Sequence, residues 1–139
     1  MKPFKKSVYL AGAISYFYNT NQPQRATAWR KKAEEFLGQF DIRCFNPCVN
    51  VNGDFSNDII VKQNIYYLKQ CDIILVDLTM ITDSVGTIFE LTTAQNENKL
   101  VVAFGHTPWE DRPHMQYLID VRFDTLDEAL EHIETAYNQ

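Results

Sequence analysis

Two hydrophobic rhythms alternate along the chain. Short runs of β-branched and aliphatic residues are separated by longer stretches whose apolar side chains fall three and four apart, the pattern of strands wound with helices. Ser7 to Ala11 reads as a first strand ending at Gly12, and Gln24 to Gly38 as a helix. Ala26, Trp29, Ala33, Phe36 and Leu37 form one stripe on that helix, which places Trp29 in the core rather than in a site. Ile42 to Phe45 is a second strand, broken by Asn46-Pro47. A loop over Asn50 to Asn57 then leads to a helix over Ile59 to Gln70.

Ile73-Ile74-Leu75-Val76 is apolar on both parities, as a central parallel strand covered by helices on both faces must be. Thr79 to Val85 reads as a loop, Gly86 to Asn98 as a helix, and Leu100 to Phe104 as another buried strand. A long loop over Gly105 to Met115 and a last strand over Ile119 to Phe123 follow. The helix from Thr125 to Tyr137 is the clearest, with a Thr125–Glu128 capping box and Leu126, Ala129, Leu130, Ile133 and Tyr137 on one face. The expected class is α/β: a doubly wound, mainly parallel, five-stranded sheet flanked by helices, forming a single domain over residues 1–139.

At 139 residues, with 45% hydrophobic and 22% charged side chains, the chain can bury a core without disulfides or metal staples. Thirteen basic against eighteen acidic groups leave a net charge of −5, which argues against nucleic-acid polymers and anionic membranes as partners. Asp124, Asp127, Glu128, Glu131 and Glu134 read as the solvated face of the terminal helix. The basic start passes straight into a strand, and no apolar stretch approaches the roughly 20 residues that span a bilayer, so a cytoplasmic location is expected. Cys44, Cys48 and Cys71 cannot pair fully. With His106, His114 and His132 they match no zinc-module spacing, and neither a metal nor another cofactor is expected.

In open α/β sheets, ligands bind beyond the carboxyl ends of the strands. The first such turn, Gly12-Ala13-Ile14-Ser15, has no dinucleotide fingerprint, and no Walker lysine follows a strand. The informative segment is Asp83-Ser84-Val85-Gly86-Thr87-Ile88-Phe89-Glu90-Leu91. Opening a helix after a buried strand, it offers the N–H groups of Gly86 and Thr87 to an anion or a ribose oxygen. Glu90 comes one turn in, where the helix dipole favours its ionised form, and a charged carboxylate at a cleft is a candidate nucleophile or base. The bland alternative is a glutamate that merely caps or solvates the helix. Tyr9, Tyr16 and Phe17 near the mouth are candidates to stack on a base, with ordinary packing as the competing role.

Tyr9-Leu10-Ala11-Gly12, Trp29-Arg30, Asn46-Pro47, Cys71-Asp72-Ile73-Ile74-Leu75-Val76 and Ser84 to Leu91, followed by Ala94 and Lys99, resemble the nucleoside 2-deoxyribosyltransferase family in order and spacing. The resemblance runs from about Ser7 to Phe104. It implies a flavodoxin-like domain that assembles as homodimers or larger oligomers, in which a neighbour helps close each site. It also implies cleavage of the N-glycosidic bond of nucleosides or their 5'-monophosphates, with the sugar passed to another nucleobase or to water.

Under that resemblance Glu90 is the nucleophile and Ser84 meets the 5' end of the sugar. Relatives acting on free nucleosides carry aspartate at the position of Ser84, and those acting on monophosphates carry serine; here Asp83 stands immediately before it. The expected substrate contacts are Tyr9, Gly12, Ala13, Ile14, Asp83, Ser84, Gly86 and Thr87. The family's aspartate upstream of Cys71-Asp72 is replaced by Asn64, which can bond a sugar hydroxyl but is no general acid near neutral pH, leaving Asp58 as the alternative. Ser15 stands where phosphate-using relatives have arginine, so Arg25 or Arg112 would have to supply the charge. His114 and Met115 fall on the family's partner-facing loop, and Trp109 and Tyr117 are candidates for burial against a second copy. The competing functions are a nucleotide-binding protein that has lost turnover, suggested by Asn64, and a phosphoribohydrolase of the cytokinin-activating kind, against which Ser84-Val85 stands in place of paired glycines.

Overall fold

A computed structural model describes residues 6–50 and 56–137 of the chain, so most of the loop expected over Asn50 to Asn57 lies outside the described residues. Its elements run β1 (Lys6–Ala11), α1 (Ser15–Asn19), α2 (Gln24–Gly38), β2 (Ile42–Phe45), α3 (Pro47–Asn50), α4 (Asn57–Gln70), β3 (Ile73–Asp77), α5 (Val85–Asn96), β4 (Leu100–Phe104), α6 (Pro113–Leu118), β5 (Val121–Phe123) and α7 (Leu126–Tyr137). The five strands make one parallel sheet in the order β2-β1-β3-β4-β5, which is the flavodoxin-like winding.

Strand parity divides the core. Tyr9, Ala11, Ile74, Val76, Val101 and Ala103 point to one face and pack on Leu68, Leu91, Met115 and Leu118 of α4, α5 and α6. Val8, Leu10, Ile73, Leu75, Val102 and Phe104 point to the other and pack on Ala33 and Leu37 of α2 and on Ala129, Leu130 and Ile133 of α7. Both faces are therefore dry, which explains why β1, β3 and β4 read as continuous apolar runs. The Trp29 ring meets Phe104 edge-on at 5.1 Å, in the expected packing role. The capping box also forms: Thr125 N–H donates to Glu128 Oε1 and Glu128 N–H to Thr125 Oγ1, each at 3.2 Å.

Four elements depart from the sequence pattern. Ser15–Asn19 and Pro47–Asn50 form short helices directly after β1 and β2. The long loop after β4 stops at Arg112, because Pro113 starts α6, with Met115 and Leu118 buried one turn apart. The last strand is correspondingly shorter than expected. Ile119 caps α6, and Asp120 Oδ2 accepts the Val101 N–H at 2.8 Å, so pairing begins at Val121 opposite Val102.

Candidate active site

The order β2-β1-β3 places the winding reversal between β1 and β3, so their carboxyl ends diverge into a crevice. Gly12 closes β1 with φ +152°, and a Cβ there would lie 3.3 Å from Asp77 Cβ at the end of β3. Only glycine lets these two strand ends approach so closely. Arg30 of α2 ties the same corner together from below. Fully buried, it donates from Nε to Leu10 O (3.2 Å), from Nη1 to Ala26 O (2.7 Å) and from Nη2 to Gly12 O (3.1 Å).

Above this floor lies a cleft of about 590 Å³. Gly12, Ile14, Ser15 and Tyr16 form one side, Ile60, Val61, Asn64 and Ile65 of α4 a second, and the segment from Asp83 to Glu90 a third, with Arg30 reaching its base. Ser84 caps α5: its Oγ accepts the Thr87 N–H at 3.4 Å and lies 2.6 Å from Thr87 Oγ1.

Glu90 is the chemically distinctive group. Its carboxylate accepts a hydrogen bond from the Tyr9 hydroxyl. The Tyr9 ring is fully buried and stacked on Phe45 at 5.4 Å, which is stacked in turn on Tyr67 at 4.3 Å. Burial pushes the Glu90 carboxyl up to about 7, against the opposing pull of the Tyr9 hydrogen bond and the Arg30 charge. Burial and the neighbouring carboxylate together hold the Tyr9 phenol well above its usual range, so it remains a donor. Nearby Asp77 is also pushed up by burial, while its Oδ1 accepts the Thr79 N–H at 2.9 Å. A carboxyl that titrates near neutrality inside a cleft suits attack on an electrophilic carbon or proton transfer.

The structure brings together Gly12, Ile14, Asn64, Asp83, Ser84, Gly86, Thr87 and Glu90, all of which line the one cleft. Several other expectations are corrected. Tyr9 lies beneath the cleft, where the stack on Phe45 excludes a base and its hydroxyl serves Glu90. Ala13 is buried with Phe17 and Ala26 and does not line the cleft. The Thr87 N–H is taken by the Ser84 cap rather than left for a ligand. Desolvation opposes the ionised form that the helix start would favour at Glu90, and raises its carboxyl.

Arg25 lies over the Phe17 ring and Arg112 over the Trp109 ring, and neither lines the cleft. The arginine that lines the cleft is Arg30, which in the sequence stands out only as part of the Trp29-Arg30 pair. Its signal was positional, since residues 26, 30, 33 and 37 share one helical face and are all buried. Asp58 is exposed, bonded by Ser56 Oγ at 2.7 Å, and does not line the cleft, so it does not replace Asn64 there. Trp109 packs against the protein's own core, whereas Tyr117 is exposed.

Fold and cleft together define a flavodoxin-like α/β protein with a half-buried, tyrosine-bonded carboxyl at its switch point. Residues 5–107 match the family model described as nucleoside 2-deoxyribosyltransferase like, and the chain belongs to that family. Its fold is similar to that of a 2-deoxyribosyltransferase from Bacillus psychrosaccharolyticus (TM-score 0.67, 21% identity, 89% of this chain and 90% of that one). It is similar also to a 2-deoxyribosyltransferase from Leishmania mexicana (TM-score 0.69, 18% identity, 95% and 99% covered). A CMP N-glycosidase from Clostridium botulinum shares the fold as well (TM-score 0.63, 18% identity, 93% and 98% covered). No curated protein sequence matches the chain.

Proposed function

We propose that this protein cleaves the N-glycosidic bond of nucleosides or their 5'-monophosphates, with Glu90 as nucleophile, and passes the sugar to another base or to water. The Tyr9–Glu90 pair opening into the cleft carries this reading. In the reaction the ionised carboxylate attacks the anomeric carbon and the base leaves with the glycosidic electron pair. The glycosyl ester is then opened from the opposite side, giving net retention. Tyr9 holds the carboxylate oriented and Arg30 favours its charged form, offsetting part of the cost of burial.

The 5' end faces α5. Ser84 and Thr87 place two hydroxyls on the cleft wall, Arg30 brings a buried positive charge to its base, and Asp83 stands exposed at the rim. This arrangement favours a 5'-monophosphate, since hydroxyl donors and a buried cation accept a phosphate that a facing carboxylate would repel. Val61, Val85 and Phe89 expose apolar surface beside the cleft, 86% of it in the case of Val85, and support the reading that a second copy completes the site. The activity is expected to be that of a homodimer or larger homo-oligomer acting in the cytoplasm without a cofactor.

The deciding experiment compares kcat/KM for thymidine and thymidine 5'-monophosphate in the wild type and in Ser84→Asp. The monophosphate should be preferred, and the substitution should lower its kcat/KM by about 100-fold while sparing thymidine. A wild type that prefers thymidine and is unmoved by the substitution would remove Ser84 from the 5' contact.

A further inference from the structure

The cleft walls on either side of Glu90 differ in chemistry. The α5 wall carries the carboxyl and the hydroxyls of Ser84 and Thr87. The α4 wall offers Ile60, Val61 and Ile65, and its one polar side chain is Asn64. Asn64 Oδ1 is buried and has no hydrogen-bond partner among the described residues. An orphaned buried acceptor costs on the order of 1–3 kcal/mol, so in a cleft it is satisfied by water or by a bound ligand that displaces it. Its complement is a hydroxyl or N–H group of the substrate.

A carboxamide accepts and donates hydrogen bonds but delivers no proton near neutral pH. Asp83, the other carboxyl lining the cleft, sits at the exposed rim on the α5 side, and Glu90 is occupied by bond formation to the sugar. A base seated against α4 therefore meets hydrocarbon and one amide, and no acid among the described residues of its own chain.

From these placements we infer that Asn64 is a specificity-determining residue: it accepts a donor of the bound substrate and leaves the departing base unprotonated by the protein, restricting the enzyme to bases that are good leaving groups. The inference rests on the proposed N-glycosidic cleavage. The balance is complete without a further reactant. The Glu90 oxygen bonds to the anomeric carbon, the glycosidic electron pair moves onto the ring nitrogen, and the base leaves as an anion that takes its proton from water. Without acid assistance the charge developing on the base governs the rate, which therefore tracks the acidity of the departing ring nitrogen. General acids at such positions are worth about 10²- to 10⁴-fold, and most for the poorest leaving groups.

The test is single-turnover release of base, with enzyme in excess so that only the first step is read. The probes are 2'-deoxyuridine 5'-monophosphate bearing fluorine, hydrogen or methyl at C5. In the wild type the 5-fluoro compound should react at least about tenfold faster than the 5-methyl compound. In Asn64→Asp at pH 6 that ratio should shrink to about threefold or less, with the gain on the poorer leaving group lost again at pH 8. Asn64→Ala, which removes the amide and adds no acid, should keep the wild-type ratio and raise the half-saturating concentration about tenfold. The 2',3'-dideoxy analogue then identifies the donor: equal half-saturation in wild type and Asn64→Ala means that the 3'-hydroxyl was the group bound.

A wild-type ratio near one overturns the inference, as does a ratio that a folded Asn64→Asp leaves unchanged. Unaltered half-saturation in Asn64→Ala on the full substrate removes the acceptor role. Should Asn64→Asp fail to fold, the wild-type and Asn64→Ala ratios decide alone. Absence of base release from every probe by the wild type would overturn the cleavage reading itself, a result distinct from release that ignores the leaving group.

Discussion

Replacing Glu90 with Gln should make the protein more stable and abolish its chemistry, and the stability gain should depend on pH in one direction only. The carboxyl ionises near 4.5 in an unfolded chain and near 7 in the folded protein, because burial penalises its charge. Below pH 4.5 both states hold the proton and the carboxyl costs nothing. Between 4.5 and 7 the unfolded chain loses its proton first, so wild-type stability falls as pH rises; above 7 the whole penalty persists. A shift of this size is worth about 3 kcal/mol, or roughly 10 °C in Tm for a domain of this length.

Glutamine keeps the shape and still offers an oxygen to the Tyr9 hydroxyl, so the variant loses the charge and not the contact. Urea or thermal unfolding of both proteins from pH 4 to pH 8.5 isolates the term, since every other titrating group is shared. The gap should be close to zero at pH 4 and open to about 3 kcal/mol by pH 8. A gap that stays constant with pH, or a variant less stable at pH 8, would refute the claim that a desolvated Glu90 dominates the site.

Tyr9→Phe removes a hydrogen bond to the carboxylate while keeping the stacked ring, so the acid limb of the pH–rate profile should move up by about one unit; stopped assays across pH 5 to 9 read it directly. Gly12→Ala forces a side chain to within 3.3 Å of Asp77 Cβ and 3.4 Å of the Trp29 ring at a positive φ, and should cost about 2 kcal/mol or more in urea unfolding, together with activity.

What the sequence showed and what it hid follow from the same physics. The central strands were readable because helices cover both faces, which leaves no polar parity to confuse the pattern. That same double coverage hid the orientation of Tyr9: nothing in Val8-Tyr9-Leu10 tells which face its hydroxyl reaches. α1 and α6 were missed because five- and six-residue helices are too short to show a period, although Pro113 with Met115 and Leu118 carried a trace of α6. Glu90 stands out by position, but the desolvation that raises its carboxyl is not legible there. A helix terminus is a local feature visible in sequence, whereas desolvation depends on the tertiary surroundings that also bring Tyr9 and Arg30 to the carboxyl. Arg30 shares the buried face of Ala26, Ala33 and Leu37, but a charged side chain adds nothing to an apolar stripe, so its role is not legible from hydrophobic spacing.

A nucleophilic Glu90 must bond covalently to the sugar. Mixing the protein with thymidine 5'-monophosphate, quenching in acid within the first turnover and mapping peptides by mass spectrometry tests it most directly. The peptide containing Glu90 should gain the mass of one deoxyribosyl phosphate as thymine is released, and Glu90→Gln should show neither adduct nor release. Thymine released at full rate by the Glu90→Gln protein, or an adduct on another residue, would contradict it.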